Sequence, residues 1–227
     1  MAGCLPHLPV IARMPDTTPH HVLLAGSTGL TGGFVLQALK ADASVQRIVA
    51  PTRHPLPMAA RLENPVGPLQ RLLPGLTPPM DIAICCLGTT IKHAGSREAF
   101  RMTDFDLPVA IGMRARRLGA RHYVVISSLG ADATARTFYT RVKGEMELAL
   151  RKQDWPQLTI VRPSLIVGQR QEFRLGERLA TPLSLLLPGR WRGIRVESLA
   201  RAIWRLACTP GEGVRVVESE ELRRIGA

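Results

Sequence analysis

Tyr139 and Lys143 stand four residues apart in Phe138 to Gln153, a stretch whose spacing predicts a helix, so both side chains leave it on one face. A lysine ammonium beside a phenol stabilises the phenolate, which makes the tyrosine usable as an acid or base toward a carbonyl/alcohol pair. Ser127 and Ser128 lie at the end of the preceding strand-like run, His122 to Ser127, where a hydroxyl can hold a substrate oxygen. Only one of the two fits that role, and the other caps or packs. Tyr-x-x-x-Lys alone is a common helix face. Here it follows a serine pair and, further upstream, a glycine run, in the order the chemistry requires.

That run is Gly26-Ser27-Thr28-Gly29-Leu30-Thr31-Gly32, placed between a predicted strand, His21 to Ala25, and a predicted helix, Leu30 to Ala41. Gly26 permits a tight turn, Gly29 lets backbone approach a pyrophosphate, and Gly32 allows the helix to pack close to the strand, while the helix N-terminus favours negative charge. A bland glycine turn is the competing reading of the run in isolation. At the end of the second strand, Arg47 to Ala50, an acid would take the ribose hydroxyls of NAD, but the chain reads Pro51-Thr52-Arg53-His54. Arg53 suits the extra 2′-phosphate of NADP, against the alternative of a solvated loop arginine.

These groups need a scaffold that brings strand ends together. From residue 20 onward, short β-type runs alternate with helix-type runs, which predicts a parallel sheet with crossover helices. Further strands are expected at Asp81 to Leu87, Leu158 to Arg162 and Val214 to Val217, with a short edge strand near Val66 in the proline-rich stretch from Pro51 to Pro79. Further helices are expected at Ser96 to Met102, at Asp104 to Leu118 with Pro108 in its first turn, and at Glu197 to Cys208. The expected fold is α/β, a doubly wound, Rossmann-like parallel sheet with its ligand crevice at the carboxyl ends of the strands. Residues 1–19 read as a flexible tail, 20–227 as one domain, and about 169–195 as a small C-terminal substrate-side segment.

Thirty Lys+Arg against 18 Asp+Glu give a net charge of +12, which raises the question of nucleic acid. Only four of the cations are lysine, Lys40, Lys92, Lys143 and Lys152, and aromatics at 4% do not interleave with the arginines, so a base-stacking platform is poorly supported. Arg114, Arg116, Arg117 and Arg121 read as a solvated helix face, and Arg190, Arg192 and Arg195 around Trp191 as a candidate contact for an acidic substrate or partner. Cys4, Cys85, Cys86 and Cys208 form no C-x-x-C pair, and His20, His21 and His93 lack metal-ligand spacing. Reduced thiols favour a cytosolic setting, and no apolar stretch approaches the roughly 18 residues of a membrane span.

Taken together, these motifs resemble the short-chain dehydrogenase/reductase superfamily in its atypical or extended branch, to which the G-x-x-G-x-x-G spacing belongs. More narrowly, Cys85-Cys86-Leu87-Gly88-Thr89-Thr90, Ser127-Ser128-x-Gly130-Ala131-Asp132, Tyr139-x-x-x-Lys143-Gly144-Glu145 and Arg162-Pro163 look like the Tat-interacting oxidoreductase-like subgroup, over about residues 21 to 210. The resemblance implies that Thr28, Gly29, Leu30 and Thr31 touch cofactor phosphates and that Arg53 with His54 meets the adenosine 2′-phosphate. It also implies that Leu87-Gly88 passes under the adenine-ribose side, that Tyr139 and Lys143 meet the nicotinamide ribose, and that backbone near Ile166, with Arg174, lines the nicotinamide and substrate end. The chain departs from the pattern at Asn64-Pro65-Val66-Gly67-Pro68, where relatives usually carry an aspartate that meets the adenine.

The expectation is therefore a cytosolic oxidoreductase using NADP, with NAD as the alternative cofactor, that moves hydride between nicotinamide and a small carbonyl or alcohol substrate. Two readings compete with it: an epimerase or dehydratase using the cofactor transiently, and a non-catalytic protein that senses NADP(H). Substrate identity and oligomeric state are not read from the sequence.

Overall fold

The computed structural model describes residues 19–168 and 189–227. The expected tail up to residue 18, and Arg174 with residues 169–188 of the expected substrate-side segment, lie outside the described residues. Seven strands form one parallel sheet: β1 (His20–Ala25), β2 (Val45–Val49), β3 (Leu62–Glu63), β4 (Ile82–Cys85), β5 (His122–Ile126), β6 (Gln157–Arg162) and β9 (Gly213–Glu218). Their order is β3-β2-β1-β4-β5-β6-β9, and two short strands, β7 (Ile166–Val167) and β8 (Ile194–Arg195), pair separately. This is the doubly wound α/β fold, whose order reverses between β1 and β4 and opens a crevice there at the carboxyl ends.

Both faces of the sheet are buried, which is why β1, β4 and β5 read as unbroken apolar runs. Val22, Leu24, Ile84 and Val124 pack on one face against α1 (Leu30–Ala41) and the long amphipathic α7 (Val196–Cys208). Leu23, Ala83, Tyr123 and Val125 pack on the other, against α5 (Leu107–Arg117) and α6 (Phe138–Arg151). The remaining helices are the short α2 (Leu69–Leu72), α3 (Ile91–Ala94) and α4 (Arg97–Arg101), and the terminal α8 (Ser219–Ile225).

Three expectations are corrected. The edge strand lies at Leu62–Glu63, and Val66 makes only an isolated bridge to Thr52, because Pro65 has no N–H to continue the ladder. The two helices expected around residue 103 are one: α4 runs without a break through a π turn, Met102–Asp106, into α5. Leu107 N–H reaches back five residues to Met102 O, so the ladder changes step one residue before Pro108, which cannot donate. Arg114 is not simply solvated, since its guanidinium donates to the carbonyls of Pro74 (2.9 Å) and Leu76, whereas Arg116, Arg117 and Arg121 are exposed.

Candidate functional site

The glycine loop turns directly off β1. Gly26 adopts φ +84°, and a Cβ there would lie 2.8 Å from the Cys86 carbonyl carbon, so this position needs glycine on both counts. Its carbonyl accepts from Gly29 N at 2.9 Å. A Cβ on Gly32 would stand 2.0 Å from that same oxygen, which ties the first turn of α1 closely to the loop. Gly29 is the N-cap of α1 and no side chain caps the helix, nor does an acid occupy its first turn. Thr28 and Gly29 are exposed, Leu30 is half-buried and Thr31 is buried. Uncapped N–H groups of a twelve-residue helix, facing a loop without bulk, suit an anionic group.

Arg53 and His54 are exposed on the segment that leaves β2, one strand away at the same carboxyl edge. Asn64 organises this segment. Its amide donates to Ala50 O (2.6 Å) and Thr52 Oγ1 (2.7 Å), its carbonyl oxygen accepts from Leu56 N (2.7 Å), and Thr52 Oγ1 donates to His54 O (2.6 Å). The departure from the family pattern thus has a structural use here, as a clamp on the loop that carries Arg53. On the other side of β1, half-buried Leu87 runs past Gly26, its backbone N 2.9 Å from where a Cβ on Gly26 would stand, and exposed Gly88 follows.

The serine pair divides. Ser127 Oγ donates to Glu147 Oε1 at 2.5 Å, and Glu147 is held in turn by Arg162 through Nε (2.9 Å) and Nη2 (2.6 Å). Arg162 also reaches Glu218 at 3.3 Å. Ser128 Oγ is buried and has no hydrogen-bond partner among the described residues; the same holds for Ser27 Oγ in the glycine loop. Buried hydroxyls are rarely left unpaired in a protein, and two of them at the crevice edge fit a site shaped for ligand oxygens.

Helix α6 carries Tyr139 and Lys143. It starts at Thr137, whose hydroxyl caps Thr140 N, and it lies so close to the loop after the serines that a Cβ on Gly144 would be 2.2 Å from Ala133 N. Tyr139 is half-buried against Phe100, ring centroids 5.5 Å apart. Lys143 is only 1% exposed; its Nζ donates to Ile126 O at 3.2 Å and lies 2.7 Å from Oδ1 of fully buried Asp104 in the π turn. Burial alone would lower the Lys143 pKa, but the Asp104 charge, helped by Tyr139, outweighs it and the pKa is raised. A Cβ on Gly88 would come within 3.9 Å of Nζ, which joins the Leu87-Gly88 turn to this pair.

Strand β7 lies beside the start of α1: Ile166 is half-buried, and a Cβ on Gly168 would touch Leu30 at 3.5 Å. The structure therefore gathers the glycine loop, Leu87-Gly88, Ser128, Tyr139, Lys143 and the Ile166 segment around the carboxyl edge, while Arg53 and His54 flank it. Arg192 and Arg195 are exposed, and Arg223 fixes their turn by donating to Gly189 O (2.8 Å) and Arg192 O (2.7 Å). Sequence reasoning missed Asp104, Asn64 and Glu147. A signal existed for Glu147, which continues the 139/143 spacing by four more residues on the same helix face.

A switch-point crevice, a glycine loop opening α1, and a serine before Tyr-x-x-x-Lys define an atypical short-chain dehydrogenase/reductase of the NAD(P)-binding type. No family model matches the chain. Among known proteins it is 38% identical over 171 residues to the mitochondrial protein fmp52 of Emericella nidulans, covering 70% of this chain and 72% of that one. It is 30% identical over 213 residues to FMP52 of Eremothecium gossypii, covering 89% and 95%, and 28% identical over 216 residues to HTATIP2 of Rattus norvegicus, covering 90% and 88%. The chain belongs to this Fmp52/HTATIP2 family. The same fold is seen in MoeE5 solved with UDP-glucuronic acid and NAD (TM-score 0.69, 16% identity, 88% of this chain and 76% of that one). It is also seen in WbmG of Bordetella bronchiseptica with NAD (TM-score 0.67, 16% identity, 90% and 74%).

The family corrects one expectation. The Fmp52 relatives are named as mitochondrial proteins, which points away from the cytosol. Free thiols argue against an oxidising compartment but do not distinguish one reducing compartment from another. Among the described residues, no helix is long and apolar enough to cross a membrane.

Proposed function

We propose that the protein is an NADP(H)-dependent oxidoreductase acting on a small carbonyl or alcohol substrate. The observation that supports this reading is that β5 and α6 carry the Ser128 hydroxyl, which has no partner among the described residues, and the Tyr139/Lys143 pair to the carboxyl edge of the sheet that also bears the glycine loop. The loop backbone from Thr28 to Thr31, with the Ser27 hydroxyl, would hold the dinucleotide phosphates. Arg53 and His54 would meet a 2′-phosphate, and the Ile166 segment would line the nicotinamide end. When bound, the nicotinamide supplies or accepts the hydride at the substrate carbon. In the reductive direction Ser128 orients the carbonyl oxygen, Tyr139 gives it the phenolic proton, and Lys143 offsets the negative charge left on the tyrosine oxygen.

Transfer of deuterium from 4-deuterated NADPH to one member of a carbonyl panel, lost in Tyr139→Phe, is the expected result. Tight NADPH binding with no transfer by either protein overturns the catalytic reading in favour of a cofactor sensor.

A further inference from the structure

Lys143 is nearly sealed from water, and the groups facing it come from four elements. Asp104 approaches from the π turn, Tyr139 from the preceding turn of α6, the Cys85 thiol from β4, and the Ile126 carbonyl from β5. The Cys85 thiol is pushed up by burial and remains neutral, so it offers no counter-charge. The Ile126 carbonyl takes a single N–H. Asp104 is fixed independently of the lysine, because Thr89 N donates to its Oδ2 at 3.0 Å. The side chain is fully buried, although Asp106, two residues later, is exposed. The Leu87-Gly88 turn packs against the pair, since a Cβ on Gly88 would stand in ordinary contact with Asp104 Oδ1 at 3.6 Å.

We propose that Asp104 is the positioning residue of the site: it fixes the Lys143 ammonium beside Tyr139 and keeps it charged where water cannot. It acts through Lys143 and does not touch the reacting atoms. The proposal rests on the reading of Tyr139 and Lys143 as the working pair. An ammonium removed from water is stable as an ion only beside a fixed opposite charge. The π turn has a use in this arrangement, because it sets the backbone from which that charge is presented.

The chain has only four lysines, so ¹³C-lysine labelling of the cofactor-free protein gives four Cε signals, and Lys143→Arg identifies the one that belongs to Lys143. In the unsubstituted protein that signal should keep its ammonium shift to a higher pH than an ordinary lysine does. In Asp104→Asn, which preserves shape and the Thr89 contact, it should titrate about two or more pH units lower. Where turnover is measurable, the same variant should gain a loss of rate on the alkaline side, whereas a merely structural aspartate would lower the rate equally at every pH. Should Asp104→Asn fail to fold, Asp104→Asn with Lys143→Met should fold again, since removing both charges leaves neither stranded. Identical Lys143 titration in the two proteins, or failure of the double variant to recover, overturns the proposal. Absence of turnover with the titration shift present overturns only the oxidoreductase reading.

Discussion

Ser127→Ala and Ser128→Ala should damage different properties although the residues are adjacent. Ser127 Oγ makes a buried hydrogen bond to the Glu147 carboxylate, and hydrogen bonds to charged groups contribute about 1.5–3 kcal/mol. Glu147 keeps both Arg162 donors, at 2.9 and 2.6 Å, so the loss in Ser127→Ala should sit near the lower end, about 1.5–2 kcal/mol. Ser128 has no such bond among the described residues, and removing a buried hydroxyl that none of them satisfies should be neutral or stabilising by up to about 1 kcal/mol. Turnover should follow the opposite order. A donor aimed at the reacting oxygen is worth about 10²–10³ in kcat, so Ser128→Ala should lose that much while Ser127→Ala stays within about tenfold. Urea unfolding gives the first quantity, and NADPH oxidation with the carbonyl found by deuterium transfer gives the second. If Ser127→Ala abolishes turnover while Ser128→Ala keeps it, the assignment of the two hydroxyls is wrong.

Arg53→Glu should weaken NADPH binding by about tenfold or more and leave NADH binding nearly unchanged, measured by calorimetry; equal losses for both would remove Arg53 from the 2′-phosphate. Asn64→Ala should release the 50–56 loop and weaken 2′-phospho-AMP more than AMP, with the circular dichroism spectrum retained; an unaltered ratio would show that the clamp is irrelevant to the cofactor. His122 is neutral in the fold, with Nδ1 donating to Ala207 O (3.0 Å) and Nε2 accepting from Thr159 (2.8 Å), and burial lowers its pKa from 6.5 to about 4. Below pH 6.5 the unfolded chain takes up a proton that the native state refuses, so His122 should remove stability as pH falls toward 4, about 2 kcal/mol by pH 5. His122→Gln should therefore show a shallower loss between pH 7 and 5, and equal slopes would refute the buried neutral imidazole.

The strands that build the crevice were legible because a parallel sheet covered on both faces needs uninterrupted apolar runs, as at Val22 to Ala25 and Tyr123 to Val125. The glycine loop was legible because part of its constraint is local: Gly26 needs a positive φ and Gly32 packs against the Gly26 carbonyl, whereas the approach of the Cys86 backbone to Gly26 comes only with the sheet. Asp104 was not legible. A helix read at 3.6 residues per turn does not say whether Asp104 or Asp106 faces inward, and the π turn shifts that phase inside the very segment in question. The separation of Ser127 from Ser128 depends on Glu147 and Arg162, which meet them only after α6 and β6 are in place. In the sequence Asn64 shows only as the place where an adenine-binding aspartate is missing, because a side chain that binds its own loop leaves no periodic or spacing signal.

The two faces of the sheet have separate cores, and the site is divided between them. The glycine loop opens α1, which is anchored with α7 in one core through Val35, Leu36 and Leu39. Tyr139 and Lys143 ride on α6, anchored in the other core through Met146 and Leu150. The two halves meet at the strand ends rather than through a shared core. Core substitutions under α1 and under α6 therefore load different packing layers, and each half of the site can be perturbed from its own side of the sheet.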